Sequence, residues 1–252
     1  PDISWLVPPG LQWNKKYKFD FSIRGHNRRD KNDPFFGWNG GDAVGQFYFQ
    51  PFSKNYYSFG LNLGIRSIYE GSARGGSTSI GEGQSLGYRI DRKLSNTSGI
   101  AFGGEQIIHF DNTTDTGRDF YLTISKGWLK SDNDSNPFPL YIATAGVGTG
   151  KMAEGNIKGL CNDLLGGSGT EIKHQRSLCL APIFSIAKVY NQQFSTFFEY
   201  NSKWFLLGSS FVPLKNSPLR GTLAIQLSDH IDNYKLNSFG DLKWVFRLNY
   251  GF

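Results

Sequence analysis

The sequence predicts an all-β chain: a closed, antiparallel, up-and-down transmembrane β-barrel of about twelve strands. Three observations predict it. Apolar and polar residues alternate with a period of two along most of the chain, as they do when a strand divides its side chains between two faces. The connections between these runs mostly alternate between long and short, the layout of an outer-membrane barrel. The composition suits strands and turns: 31 Gly, 21 Phe and 12 Tyr in 252 residues, against one Met.

The runs justify the strands in order. "KYKFDFSIRG" places Tyr17, Phe19, Phe21 and Ile23 opposite Lys16, Lys18, Asp20, Ser22 and Arg24. "AVGQFYFQPF" follows, then "SFGLNLGIRSIY", which opposes Phe59, Leu61, Leu63 and Ile65 to Gly60, Asn62, Gly64 and Arg66. "SLGYRID" opposes Leu86, Tyr88 and Ile90 to Gly87, Arg89 and Asp91. The runs "GIAFGGEQIIHF", "RDFYLTISKGW", "LYIATAGVGTGK", "SLCLAPIFSIAKVY", "FSTFFEYN", "WFLLGSSFV" and "RGTLAIQLSDH" continue the pattern. The closing "DLKWVFRLNYGF" sets Leu242, Trp244, Phe246, Leu248, Tyr250 and Phe252 on one face. Long links such as "HNRRDKNDPFFGWNGG" and "AEGNIKGLCNDLLGGSGTEIKHQR" are interleaved with "SKN" and "NQQ".

Bulk properties remove several function classes. The net charge is +6 and the pI about 9.2, yet beyond "HNRRDK" the basic residues form no tract. Nucleic-acid binding, which needs a basic stripe with interleaved stacking aromatics, is not expected. Mean hydropathy is −0.39, and no apolar run approaches the roughly 18 residues of a membrane-spanning helix. A barrel strand crosses with about ten residues, half of them apolar, so a polar average is compatible with a membrane.

Alternation alone fits equally a soluble sandwich or a lipocalin-like barrel, with the apolar face turned inward. The ending, together with the alternating link lengths and the aromatic richness, favours the membrane barrel. Leu248-x-Tyr250-x-Phe252, with Phe as the last residue, resembles the C-terminal signature of bacterial outer-membrane β-barrels. The resemblance implies a place in the bacterial outer membrane. It makes Leu248, Tyr250 and Phe252 the assembly signal read by the barrel-assembly machinery, with outer-membrane lipid as the other partner. Hydrocarbon demands that every backbone polar group be paired, so the sheet closes and its apolar face meets lipid. The polar face then lines the lumen. Its basic members are Lys16, Lys18, Arg24, Arg66, Arg89, Lys188, Lys243 and Arg247. Its acidic members are Asp20, Asp91, Glu105, Asp119, Glu199 and Asp241. The basic excess favours anionic solutes.

The Pro-rich stretch over residues 1–15 reads as a periplasmic leader or a short plug, and 16–252 as the barrel. "PDISW", without Met, reads as the start of a mature exported product. Cys161 and Cys179 fit a disulfide in an oxidising compartment or a pair of reduced thiols.

Two segments are candidates for chemistry. "GGEQIIHFDNTTDTGRDFYLTISKGW" resembles the outer-membrane lipid A deacylase family, which carries His-x-Ser-Asn there, the serine as nucleophile and the histidine as its base. Here Asp111 stands in the serine's place between His109 and Asn112, and Asp119 is the acid nearest to the family's glutamate. A carboxylate orients a histidine but has no hydroxyl to form an acyl-enzyme, which implies an inactive relative. Ser228 and His230 in "QLSDHID" form a second candidate pair, similar to the Ser–His–Asn sets of twelve-stranded outer-membrane phospholipases. No cofactor or metal is expected. "AGVGTGKM" lacks phosphate-loop spacing and carries Met152 where Ser or Thr would bind magnesium, and Cys/His ligand spacing is absent.

Three functions follow from these readings. The first is a small porin-like channel for small, anionic solutes, or else a sealed structural barrel. The second is a membrane-embedded lipid A or phospholipid hydrolase, or its inactive relative. The third is a soluble lipocalin-like binder.

Overall fold

The computed structural model describes residues 1–12, 16–27, 41–70, 83–110, 118–129, 137–153, 180–202, 204–229, 234–235 and 243–252. Seven strands make up the first part of the chain: β1 (Phe19–His26), β2 (Asp42–Ser53), β3 (Tyr57–Glu70), β4 (Ser85–Ser95), β5 (Ser98–His109), β6 (Asp119–Leu129) and β7 (Leu140–Gly148). The second part adds β8 (Ala181–Val189), β9 (Phe194–Tyr200), β10 (Trp204–Phe211), β11 (Leu219–Asp229), β12 (Tyr234–Lys235) and β13 (Lys243–Gly251). Each long strand pairs antiparallel with its sequence neighbours. The ring closes where β13 pairs with both β11 and β1, in register from Asp20↔Gly251 to His26↔Val245. Twelve strands therefore form a closed barrel with no free edge, and the two-residue β12 is a short ribbon on the end of β11. The terminal Phe252 completes the seam: its N–H donates to the Phe19 carbonyl at 2.9 Å, and the Phe19 N–H donates back at 3.0 Å.

The barrel has a short-turn end, where residues 54–56, 96–97, 190–193 and 212–218 link strands. The link 130–139 is the long exception there. At the other end run 27–41, 71–84, 110–118, 149–180 and 230–242, with 201–203 as the short exception. The expected alternation of link lengths holds apart from these two.

Two local departures from the periodic reading have physical causes. The first strand begins at Phe19 instead of Lys16, because Tyr17 and Lys16 turn toward the 212–218 link, where the Lys16 amine donates to the Asn216 carbonyl. "GTGKM" does not prolong its strand. Gly150 takes φ 61°, a left-handed conformation suited to glycine, and Gly150–Ala153 forms a 3-10 turn held by the Lys151 N–H donating to Asp119 at 2.7 Å. The turn folds Met152 and Ala153 into the interior.

The outward face is apolar. Leu122, Ile124, Ile186, Leu207, Leu223 and Leu248 are each 45–55% exposed. At the short-turn end Phe19 stacks on Phe49 and Phe252, with centroids 4.8 and 5.4 Å apart. Phe19, Leu63, Trp244 and Phe246 share no interior core. The hydrophobic interior is built from other side chains: Phe197, Leu206, Ala224 and Val245 on β9–β13, and Ala101, Tyr121 and Ile183 on β5, β6 and β8.

Candidate lumen site

Residues 1–12 lie inside the barrel as an inverted U that enters and leaves at the short-turn end. The first arm rises along β9–β13. Its foot is Asp2, whose N–H donates to Ser210 and whose carbonyl accepts from Ser195. Its top is Trp5, packed against Trp204 with ring centroids 5.5 Å apart. The Ser4 hydroxyl donates to the Val7 carbonyl at 2.6 Å and fixes the bend. Val7 then enters the cluster of Ala101, Tyr121, Met152 and Ile183. The second arm descends past Gly10, whose N–H donates to Ser125 Oγ, to Gln12, whose amide reaches the Lys54 carbonyl. Gly10 and Gly99 pass so closely that a Cβ on either would stand 2.6 or 2.5 Å from the other's carbonyl oxygen. Glycine at both positions lets the backbone lie against the wall.

An extended Pro-rich segment has no ladder to satisfy its backbone, so the wall does it. Glu199, fully buried on β9, accepts the N–H groups of Trp5 at 2.6 Å and Leu6 at 3.0 Å, and the Asn201 amide completes its shell. Arg247 on β13 donates to the carbonyls of Trp5 and Ser4 at 2.8 and 2.9 Å. Arg89 on β4 donates to those of Pro9 and Leu11 at 2.6 and 2.9 Å, while its Nε is held by Asp91. These charge-assisted bonds grip main chain, so they depend on the path of the segment more than on its side chains.

Side-chain ion pairs fill the rest. Asp2 meets Arg247 at 2.9 Å, accepts from Thr222 at 2.8 Å, and has Arg220 Nε at 3.9 Å. Arg220 also pairs with Asp20, which accepts from Asn249 at 2.8 Å. Burial works against a charge on Asp2, but Arg247 and Arg220, aided by the Thr222 hydroxyl, hold its carboxyl well below the usual carboxylate range. Farther up, Arg24 on β1 bridges the lumen to Glu105 on β5, Nη2 to Oε2 2.6 Å.

The space left between segment and wall is a cavity of about 730 Å³. It reaches the short-turn end at Gln12, Tyr17, Gln192 and Ser217, and extends up to the Arg24–Glu105 pair. Above that pair lies a pit of about 10 Å³, also touched by Arg24 and Glu105 and bounded by Ser85 and Lys151. The pair therefore stands between the two. The cavity is lined by five basic residues (Lys16, Arg24, Arg89, Arg220 and Arg247) and three acidic ones (Asp2, Asp20 and Glu105).

The expected lumen residues separate into groups. Asp20, Arg24, Arg89, Asp91, Glu105, Asp119, Glu199 and Arg247 have their side chains inward. Lys243 shares the inward phase of β13 with Val245, and Lys16 and Lys18 are exposed at the short-turn rim. For Arg66 only the backbone is described, and Asp241 lies outside the described residues. Lys188 is a correction. On β8 the inward positions are Ala181, Ile183, Ser185, Ala187 and Val189, so Lys188 points outward. Its ammonium lies 5.6 Å from the Tyr141 ring centroid and 4.6 Å from that of Tyr190. A lysine stem can lie on an apolar face with its charge carried to the rim, which is why polarity misassigns it. Arg220, Asp2, Gln46, Tyr48 and Tyr121 line the cavity without having been expected there. The inward phase of Thr222, Ala224 and Gln226 on β11 was the available signal for Arg220.

The two hydrolase candidates are separate sites, and the partners of each lie outside the described residues. His109 is on β5, in register with Ser85 on β4. Ser228 is on β11, in register with Phe205, on the opposite side of the ring. Asp111, Asn112, His230, Cys161 and Cys179 lie outside the described residues. No group of His, Cys, Asp and Glu with the geometry of a metal site occurs among the described residues.

Compared with protein-family models and with curated proteins, the chain matches none. The class defined by fold and site is a closed twelve-strand antiparallel barrel with an apolar exterior and a charged, internally occupied lumen.

Proposed function

We propose that this chain is a bacterial outer-membrane barrel acting as a small porin-like channel for small anionic solutes, with residues 1–12 lodged in the lumen as its occluding element. The observation that carries the reading is the division of the wall. Every acidic side chain described on the strands points inward, while the outward positions are mostly Leu, Ile, Phe, Trp and Tyr, with the cations Arg92, Lys126 and Lys188 kept near the short-turn end. Such a surface is stable against acyl chains and unfavourable in water. Inside, a cavity with five basic and three acidic neighbours favours anions. Twelve strands enclose a lumen narrower than that of a sixteen-stranded porin, so a single peptide loop suffices to occupy it.

The test is conductance in planar bilayers. The full chain passes little current, a chain lacking residues 1–12 opens channels, and the reversal potential in a KCl gradient reports preference for chloride. Absence of channels from the shortened, folded barrel contradicts the reading and favours a sealed structural barrel.

A further inference from the structure

We propose that Arg220, Arg247 and Thr222 form a carboxylate-binding site in the barrel wall, that Asp2 occupies this site from within the chain, and that small carboxylate solutes take its place when the N-terminal segment moves aside. The inference deepens the channel reading and rests on it for the solute's route.

The geometry is that of an anion receptor. One Asp2 oxygen accepts from Arg247 at 2.9 Å and from Thr222 at 2.8 Å, and the other faces Arg220 Nε at 3.9 Å. The two arginines differ in what they keep if the segment leaves. Arg220 retains Asp20 on the wall. The acceptors of Arg247 are Asp2 and the carbonyls of Ser4 and Trp5, all on the segment. Without the segment, Arg247 loses all three acceptors and faces the vacated lumen, where a bound anion can take their place. The Nε–H groups of Arg220 and Arg247 are buried and have no hydrogen-bond acceptor among the described residues. The site thus holds donors that Asp2, restrained by its backbone bonds to Ser210 and Ser195, does not engage. An untethered carboxylate can turn to meet them, and arginine forks favour its two oxygens.

Asp2→Ala removes the carboxylate and leaves the main-chain bonds in place. The probe is acetate, titrated calorimetrically into the full chain in detergent at constant ionic strength, with formamide as a neutral control. Asp2→Ala is expected to bind acetate saturably and at least about tenfold more tightly than the unaltered chain, in which the tethered Asp2 competes at high effective concentration. Adding Arg247→Gln to Asp2→Ala is expected to abolish the binding. Equal acetate affinity with and without Asp2, or binding that survives Arg247→Gln, overturns the proposal.

A second measurement covers a variant that does not fold. Succinate, compared with sodium chloride at equal ionic strength, is expected to speed proteolysis within residues 1–12 of the unaltered chain about threefold or more, by the same competition. No difference between the two salts overturns the proposal. Neither measurement needs an open channel, so acetate binding together with no channels from the folded barrel lacking residues 1–12 contradicts the channel reading alone.

Discussion

Arg24 and Glu105 meet across the lumen, Nη2 to Oε2 at 2.6 Å, from strands separated by three others in the ring. The pair stands between the lower cavity and the small pit above it. Removing one partner leaves the other uncompensated in a partly closed interior. Arg24→Ala or Glu105→Ala alone is expected to lower stability by about 3 kcal/mol, while Arg24→Met with Glu105→Gln recovers most of the loss. Denaturant unfolding in detergent of the two single variants and the double variant, each against the unaltered chain, measures this.

Glu199 is the main-chain clasp of the segment, and its loss orphans the N–H groups of Trp5 and Leu6. Glu199→Ala is expected to cost about 1–3 kcal/mol for each N–H left buried without an acceptor. The segment then spends time outside the lumen. Limited proteolysis within residues 1–12 should accelerate in Glu199→Ala, and less so in Glu199→Gln, which keeps one acceptor oxygen.

The part of the segment's docking that Asp2 supplies should weaken in acid. Its carboxyl is held below its ordinary value in the folded chain by Arg247 and Arg220, which face it with Thr222, against the burial and the nearby Asp20 that oppose the charge. A depressed pKa contributes stability that is fully present above the unfolded value of about 4, and is lost as pH falls from there toward the folded value. Asp2→Asn should be less stable than the unaltered chain at pH 7, and the difference in unfolding free energy between the two should shrink as the pH falls to 3.

The outer face should reject charge. Ile186, 55% exposed near the middle of β8, is expected to cost about 2–4 kcal/mol when replaced by Arg if acyl chains surround it. Ser185→Ala, one residue away on the inward face, should leave insertion unchanged. Folding yield in lipid vesicles, read from heat-dependent gel mobility, separates the two.

The strands were legible because a period of two is imposed by backbone geometry wherever the two faces meet different media. Each of the twelve alternating runs became a barrel strand. Lys188 shows the limit: a flexible amphipathic side chain on the outer face reads like a lumen residue. The site was less legible than the wall. Residues 1–12 have no periodicity, and their path is set by distant side chains such as Glu199, Arg247 and Arg89 acting on main-chain groups. A sequence carries no local mark of a backbone carbonyl that an arginine about 240 positions away will bind. Met152 entered the interior through a turn at Gly150 that interrupts an otherwise strand-like run.

The most direct test of the account is the medium at each face of the wall. Nitroxide labels placed one at a time at Phe21, Leu122, Ile186, Leu207 and Leu223 in lipid vesicles, with Ser22, Thr123 and Ser185 as inward neighbours, report collision rates with oxygen and with a water-soluble nickel chelate. High oxygen and low nickel collision at the five outward sites, with low values for both at the inward ones, is the predicted result. Nickel collision at the outward sites as free as in water, in a protein that stays dispersed without detergent, would contradict it.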